Sequence, residues 1–190
     1  MRVILASKSP RRKRLLNELG LNFKVVPSHA DESVIEEENP AELARKLAML
    51  KAASVARGMK REHAIVIGAD TVVLLDNEIL DKPANRKQAM GMLEKLSGRE
   101  HKVYTGICVI NTKTGNVYSD IQKARVRFRK LTAREISGYA NSDSVMDWAG
   151  AYAIQSFPTI IGSIDGSLTN VIGLPVEKLI PLLRENGVDI

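Results

Sequence analysis

Asp70 lies inside the most apolar stretch of the chain, Ala64–Leu75, which is interrupted only at Gly68-Ala69-Asp70-Thr71. A carboxylate in such a run is costly unless it is paired or binds a metal, and ionisable groups held this way concentrate at active sites. The bland alternative is an aspartate accepting backbone hydrogen bonds at a strand end. A second group of reactive types is Ser7-Lys8-Ser9-Pro10-Arg11-Arg12, two hydroxyls among three cations. Where such a loop opens a helix, unpaired N–H groups and partial positive charge suit an anion. It is not a Walker A loop, which needs spaced glycines and a terminal Lys-Ser/Thr. A basic first turn of a surface helix is the competing reading.

Other candidates are weaker singly. Asp31 and Glu32 could supply a further oxygen ligand to Mg²⁺ or Mn²⁺, or simply be solvated. Lys51 has the look of an ordinary helix-surface lysine, whereas Lys82 precedes Pro83, which restricts its backbone and so positions the cation. Ala149-Gly150-Ala151-Tyr152-Ala153-Ile154-Gln155 combines small residues with an amide suited to a base edge, but on its residues alone reads first as a close-packed strand with one polar residue. His29, His63 and His101 lack metal-ligand spacing, and no HExxH, CxxC or nucleophile elbow is present. A zinc protease, a thiol enzyme and a serine hydrolase are disfavoured.

These residues need elements to position them. Arg2–Ala6 reads as a strand, and Ser9 and Pro10 as the cap and first position of a helix with Leu15, Leu16 and Leu19 on one face and Gly20 as its stop. Phe23–Val26 is a second strand. Asn39-Pro40 opens a longer amphipathic helix that runs to Arg57 and closes at Gly58. Ala64–Leu75 is the central strand, turning at Asp76-Asn77 into Glu78–Leu80, before a helix over Lys87–Leu96. His101–Ile110 and Val117–Phe128 form a long hairpin around Thr114-Gly115-Asn116, and Thr132 to Glu135 is a capping box. Pro175 to about Asn186 is a last helix, in which Pro181 should introduce a kink or cost about 3 kcal/mol. The alternation of strands and helices indicates an α/β protein with a mixed sheet.

Composition sets the outer bounds. With 44% hydrophobic and 26% charged residues in 190, the chain has the make-up of a globular protein with one substantial core. Aromatics at 4% leave that core to Leu, Ile, Val and Ala. The net charge of +6 attracts phosphates of any origin and specifies none. The lone Cys108, in an apolar alternating stretch, reads as a buried strand residue. Without a disulfide framework, a secretory apolar run or a bilayer-length segment, the expected location is the cytoplasm.

Taken in order, Leu5 to Arg12, the Asn39–Ala52 helix, Gly68 to Val73, Lys82-Pro83, Leu96 to Gly98, His101 to Gly106, Ala149–Gln155 and Asn170 to Pro175 resemble the Maf family of septum-formation-inhibitor-like nucleotide pyrophosphatases. Each segment alone is weak, but the ordered set is specific and spans nearly the whole chain. The resemblance implies an elongated α/β mixed sheet flanked by helices, similar to the inosine triphosphate pyrophosphatases. It implies one domain over residues 1–190, with room for two lobes around a central cleft. It further implies hydrolysis of nucleoside triphosphates to monophosphate and pyrophosphate with a divalent cation, Mg, Mn or Co, and a homodimer. Carried over by position, Asp70 is the general base and, with Glu32, a metal ligand; Ser7, Arg11, Arg12, Lys51 and Lys82 hold phosphates. Arg11, Thr71 and Gln155 together resemble the subgroup acting on dTTP and UTP rather than 7-methyl-GTP. One departure follows Gln155, where the family usually has Gly and this chain has Ser156-Phe157-Pro158.

Two rival readings remain at this level. A nucleic-acid-binding or division-regulating protein would use the positive charge, but lacks a recognition motif and has no need of an acid in its central strand. An inosine/xanthosine triphosphate pyrophosphatase would share the reaction and differ in base recognition.

Overall fold

The protein is described by a computed structural model covering residues 1–59 and 63–190. Its centre is a seven-stranded mixed sheet ordered β2 (Phe23–Val25), β1 (Arg2–Leu5), β3 (Ala64–Leu75), β5 (Glu100–Asn111), β6 (Val117–Phe128), β7 (Ile161–Gly166), with β4 (Glu78–Ile79) joined to β3. The strands β1, β2 and the first part of β3 run parallel. β4, β5, β6 and β7 add antiparallel pairs. β3, β5 and β6 have 12 residues each, about 40 Å at the usual rise, so the sheet is much longer than β1 and β2 can cover.

The helices begin where local chemistry dictates. Ser9 caps α1 (Pro10–Glu18) and Asn39 caps α2 (Pro40–Arg57), each followed by proline at the first helical position. Asn85 caps α3 (Arg86–Leu96), and Thr132 closes a full capping box on α4 (Ala133–Ala140). α5 (Leu168–Ile172) and α6 (Val176–Glu185) complete the chain. Among the described residues no helix is long and apolar enough to cross a membrane.

Side chains of β3 alternate between two faces. Ala64 and Val66 join Cys108 of β5 under α2, while Ile65, Ile67 and Ala69 pack with Leu16 of α1 and Leu179 and Leu183 of α6. Farther along, Val73 and Leu75 enter a second core with α3, α4, Phe128 and Trp148. α2 lies unusually close to the sheet. A Cβ on Gly68 would sit 2.2 Å from the Ala48 carbonyl oxygen, and one on Gly106 2.3 Å from that of Ala44. These two glycines, with a row of alanines on α2, let backbone meet backbone.

One expectation needs correction. Ala149–Gln155 is not a strand: Ala149–Ala151 is a single 3₁₀ turn with positive φ at Gly150 (68°) and Ala151 (61°). Left-handed backbone breaks the extended repeat, and the strand of this region is Ile161–Gly166 instead. Pro181 lies inside α6, as the sequence implies, and the helix runs on through it to Glu185. The proline is on the exposed side, where the carbonyl it cannot bond is able to turn to water.

Candidate functional site

β1 ends opposite Ile67, and the same edge of β3 is taken up again at Val73 by Leu80 and at Leu74 by β4. Between them lies an open stretch of strand edge carrying Asp70 and Thr71. A cleft of about 780 Å³ occupies this gap, beyond the carboxyl end of a parallel strand where α/β proteins bind ligands. Ser7, Arg11, Arg12, Glu32, Lys51, Asp70, Thr71, Lys82 and Gln155 all line it. The structure thus gathers in one cleft the residues that the family resemblance assigned to the site. Six cations and three carboxylates face the cleft, so its balance favours an anion.

On one face of β3, Asp70 points toward α2. Lys51, well inside that helix, places its Nζ 2.5 Å from Asp70 Oδ1 and 3.0 Å from Glu32 Oε2. The side chains of Lys51 and Asp70 are only 14% and 13% exposed, that of Glu32 53%. Lys51 is therefore not the surface lysine its helix suggested. The close approach at Gly68 and Gly106 brings it within reach, Gly106 being the register partner of Asp70. Asp31 does not join: its carboxylate caps the next turn, accepting from Ser33 N–H and Oγ–H, which holds its pKa below the usual value.

On the other face, Arg12 is clamped three ways. Nε donates to the Gly173 carbonyl at 2.7 Å, one terminal nitrogen to Ser7 Oγ at 3.2 Å, the other to Thr71 Oγ1 at 3.1 Å. A guanidinium has five N–H donors, so two remain for a ligand. Ser7 Oγ also accepts from Ser9 N–H; with both lone pairs filled, its proton is left to donate. Burial lowers the Arg12 pKa, partly offset by Asp70 and Glu32. Burial, then the adjacent Arg12 charge, brings Arg11 down to about 10 against the pull of Asp147. Arg11 lies 5.7 Å over the ring of Trp148, a cation–π geometry.

Lys82 and Gln155 are exposed on the cleft wall. Trp148, Tyr152, Ser144 and Asp147 share that wall, and sequence reasoning singled out none of them as site residues. The lone tryptophan of an aromatic-poor chain was the available signal.

Among the described residues no group of three or more His, Cys, Asp or Glu could hold a metal by itself. The donor chemistry nevertheless fits a hard cation that takes one or two carboxylates and completes its shell with water and substrate oxygens. Asp70 and Glu32, both in contact with the Lys51 ammonium, are carboxylates of the kind such a cation takes.

Comparison with known proteins bears on the fold and the family. The fold is that of the Ham1 protein of Staphylococcus aureus, with a TM-score of 0.57 at 10% identity over 98% of this chain and all of that one. Among curated proteins, the dTTP/UTP pyrophosphatase of Aquifex aeolicus is 48% identical over 97% of this chain and 95% of its own length. That of Caldanaerobacter subterraneus subsp. tengcongensis is 47% identical over 99% and 91%. That of Thermoanaerobacter sp. (strain X514) is 44% identical over 97% and 96%. The Maf-like protein profile matches residues 2–186, and with cleft, fold and relatives in agreement, this chain belongs to the Maf family.

Proposed function

We propose that this chain hydrolyses nucleoside triphosphates, dTTP and UTP foremost, to the monophosphate and pyrophosphate. One observation carries the reading: a carboxylate, Asp70, stands between a lysine and an arginine-clamped anion site in a net-cationic cleft. The relatives named dTTP/UTP pyrophosphatase supply the base preference.

In this reading the phosphates lie along the N-terminus of α1, held by Ser7, Arg11 and the two unspent N–H groups of Arg12, with Lys82 on the opposite wall. Asp70 accepts the proton of a water that attacks the α-phosphorus, and the bond from that phosphorus to the bridging oxygen of pyrophosphate breaks. Lys51 orients Asp70 through its short contact and adds positive charge beside the reacting group. Asp70 and Glu32 would hold a divalent cation (Mg, Mn or Co), whose charge offsets that of the phosphates. Thr71 and Gln155, with Trp148 and Tyr152, form the wall left for sugar and base. A cytoplasmic location and a homodimer belong to the same reading.

The test is pyrophosphate release from a panel of triphosphates with Mg²⁺ or Mn²⁺, wild type beside Asp70→Asn. Release from dTTP and UTP, lowered about a thousandfold or more in the variant while nucleotide still binds, is the expected result. Near-normal turnover in Asp70→Asn removes it as base. No release from any nucleotide removes the enzyme reading, and salt-sensitive DNA binding would then favour the nucleic-acid alternative.

A further inference from the structure

Thr71 and Thr105 face each other across β3 and β5 as register partners, their hydroxyl oxygens 3.0 Å apart. Thr105 is fully buried, and its Oγ1 lies 2.9 Å from the main-chain carbonyl of Asn170. Proton counting fixes the direction of every bond. A carbonyl can only accept, so the single Thr105 proton goes to Asn170; otherwise two lone pairs would meet at that distance. Thr105 must then accept from Thr71, and Thr71, its proton spent inward, offers Arg12 a lone pair. The result is a one-way chain, Arg12 to Thr71 to Thr105 to the Asn170 carbonyl.

Both ends of the clamp converge on α5. Asn170 lies within it and Gly173, whose carbonyl takes Arg12 Nε, is its C-cap. Asn170 is fully buried and is itself tied to the Val103 carbonyl through its amide nitrogen at 3.1 Å. The relay therefore starts at a cleft residue and ends on backbone that the sheet holds in place.

We propose that Thr105, which does not line the cleft, is a positioning residue: its hydroxyl locks the Thr71 proton inward and so sets the angle at which the Arg12 guanidinium meets the phosphates. Valine at this position keeps the shape but cannot accept the Thr71 proton. That hydroxyl is then left to compete for other partners, and Arg12 loses a defined acceptor. Serine keeps the relay. This rests on the phosphate role of Arg12 stated above.

The experiment is a double-mutant cycle. Thr105→Val, Thr105→Ser, Arg12→Met and the Thr105→Val/Arg12→Met pair are compared by kinetics with dTTP and by calorimetric binding of a non-hydrolysable dTTP analogue, with Tm alongside. Thr105→Val is expected to raise KM and the dissociation constant about tenfold, the worth of one mispaired hydrogen bond at a charged site. Thr105→Ser should stay within about twofold of wild type, and Thr105→Val should add nothing once Arg12 is gone. A purely structural threonine would lower Tm and leave affinity alone, or act equally in both Arg12 backgrounds, and either result overturns the proposal. If Thr105→Val does not fold, Thr105→Ala cuts the same relay and the same comparison decides. Wild-type protein that neither binds nor hydrolyses a triphosphate overturns the parent reading and this one together; normal wild-type behaviour with indifferent Thr105 variants overturns this one alone.

Discussion

The two ends of the long sheet are built from different materials. Around β1 and the start of β3 the core is aliphatic, with Leu, Ile, Val and Ala under regular helices. Around the end of β3 and the open end of the β5–β6 hairpin it is aromatic: five of the eight Phe, Tyr and Trp residues (Phe128, Tyr139, Trp148, Tyr152, Phe157) collect there, joined by His101. The Thr71–Thr105 pair lies between the two. The aliphatic end supplies helix termini and clamped cations, a fixed charge array suited to phosphates. The aromatic end supplies flat surfaces hung on 3₁₀ turns, suited to a planar base. In the proposed reaction, one half handles charge and the other handles shape.

The comparison breaks most severely where backbone meets backbone. Gly106→Ala would drive a methyl to 2.3 Å from the Ala44 carbonyl oxygen and 2.5 Å from the Arg45 nitrogen, a steric overlap rather than a contact. It is expected to cost about 3 kcal/mol or more in denaturant unfolding. Because α2 must lift to make room, Lys51 should lose Asp70, so turnover should fall in whatever fraction remains folded. A mild effect would mean that α2 is not held by this contact.

The aromatic end contains a buried histidine with a pH dependence of its own. His101 bonds through Nε2 to the Tyr152 hydroxyl at 2.7 Å, its Nδ1 has no hydrogen-bond partner among the described residues, and burial lowers its pKa from 6.5 to about 4. The unfolded chain therefore takes up the proton first. Stability is full above pH 6.5 and falls toward pH 4 by roughly 3 kcal/mol from this group. Equilibrium unfolding over that range, wild type beside His101→Asn, should show a flatter slope in the variant between pH 6.5 and 5. Equal slopes would show that His101 titrates alike in the folded and unfolded chain.

A smaller effect sharpens the contrast. Gly150→Ala places a side chain at φ 68°, with its Cβ 3.2 Å from a Val73 methyl. It should cost about 1–2 kcal/mol, seen as a shift in Tm. The same turn carries Trp148 toward the cleft, so discrimination between bases should weaken more than phosphate affinity.

The same division governs how much could be read from sequence. The aliphatic half announces itself through local signals: Ser9-Pro10 and Asn39-Pro40 are caps whose chemistry acts within one turn, and both helices start where those residues stand. Asp70 was legible because a carboxylate in an apolar strand conflicts with its neighbours. The role of Lys51 was not, since its partner is 19 residues away and is reached only because two glycines on two strands let a helix descend. The segment Ala149–Gln155 misled because its path depends on left-handed backbone at Gly150 and Ala151, and alanine gives no hint of that. Thr105 passed for a strand residue of ordinary β propensity, and only register reveals its partner.

The tight seating of α2 has one more consequence. Cys108, opposite Gly68 in the sheet, is fully covered beneath that helix, and burial pushes its thiol pKa up to about 12. At neutral pH it is a protonated thiol with no solvent contact, so it resists alkylation and oxidation while the helix is down. As the only cysteine in the chain, it makes the rate of thiol labelling a direct clock for the opening of α2 from the sheet, and occupancy of the cleft beside Lys51 should slow that clock.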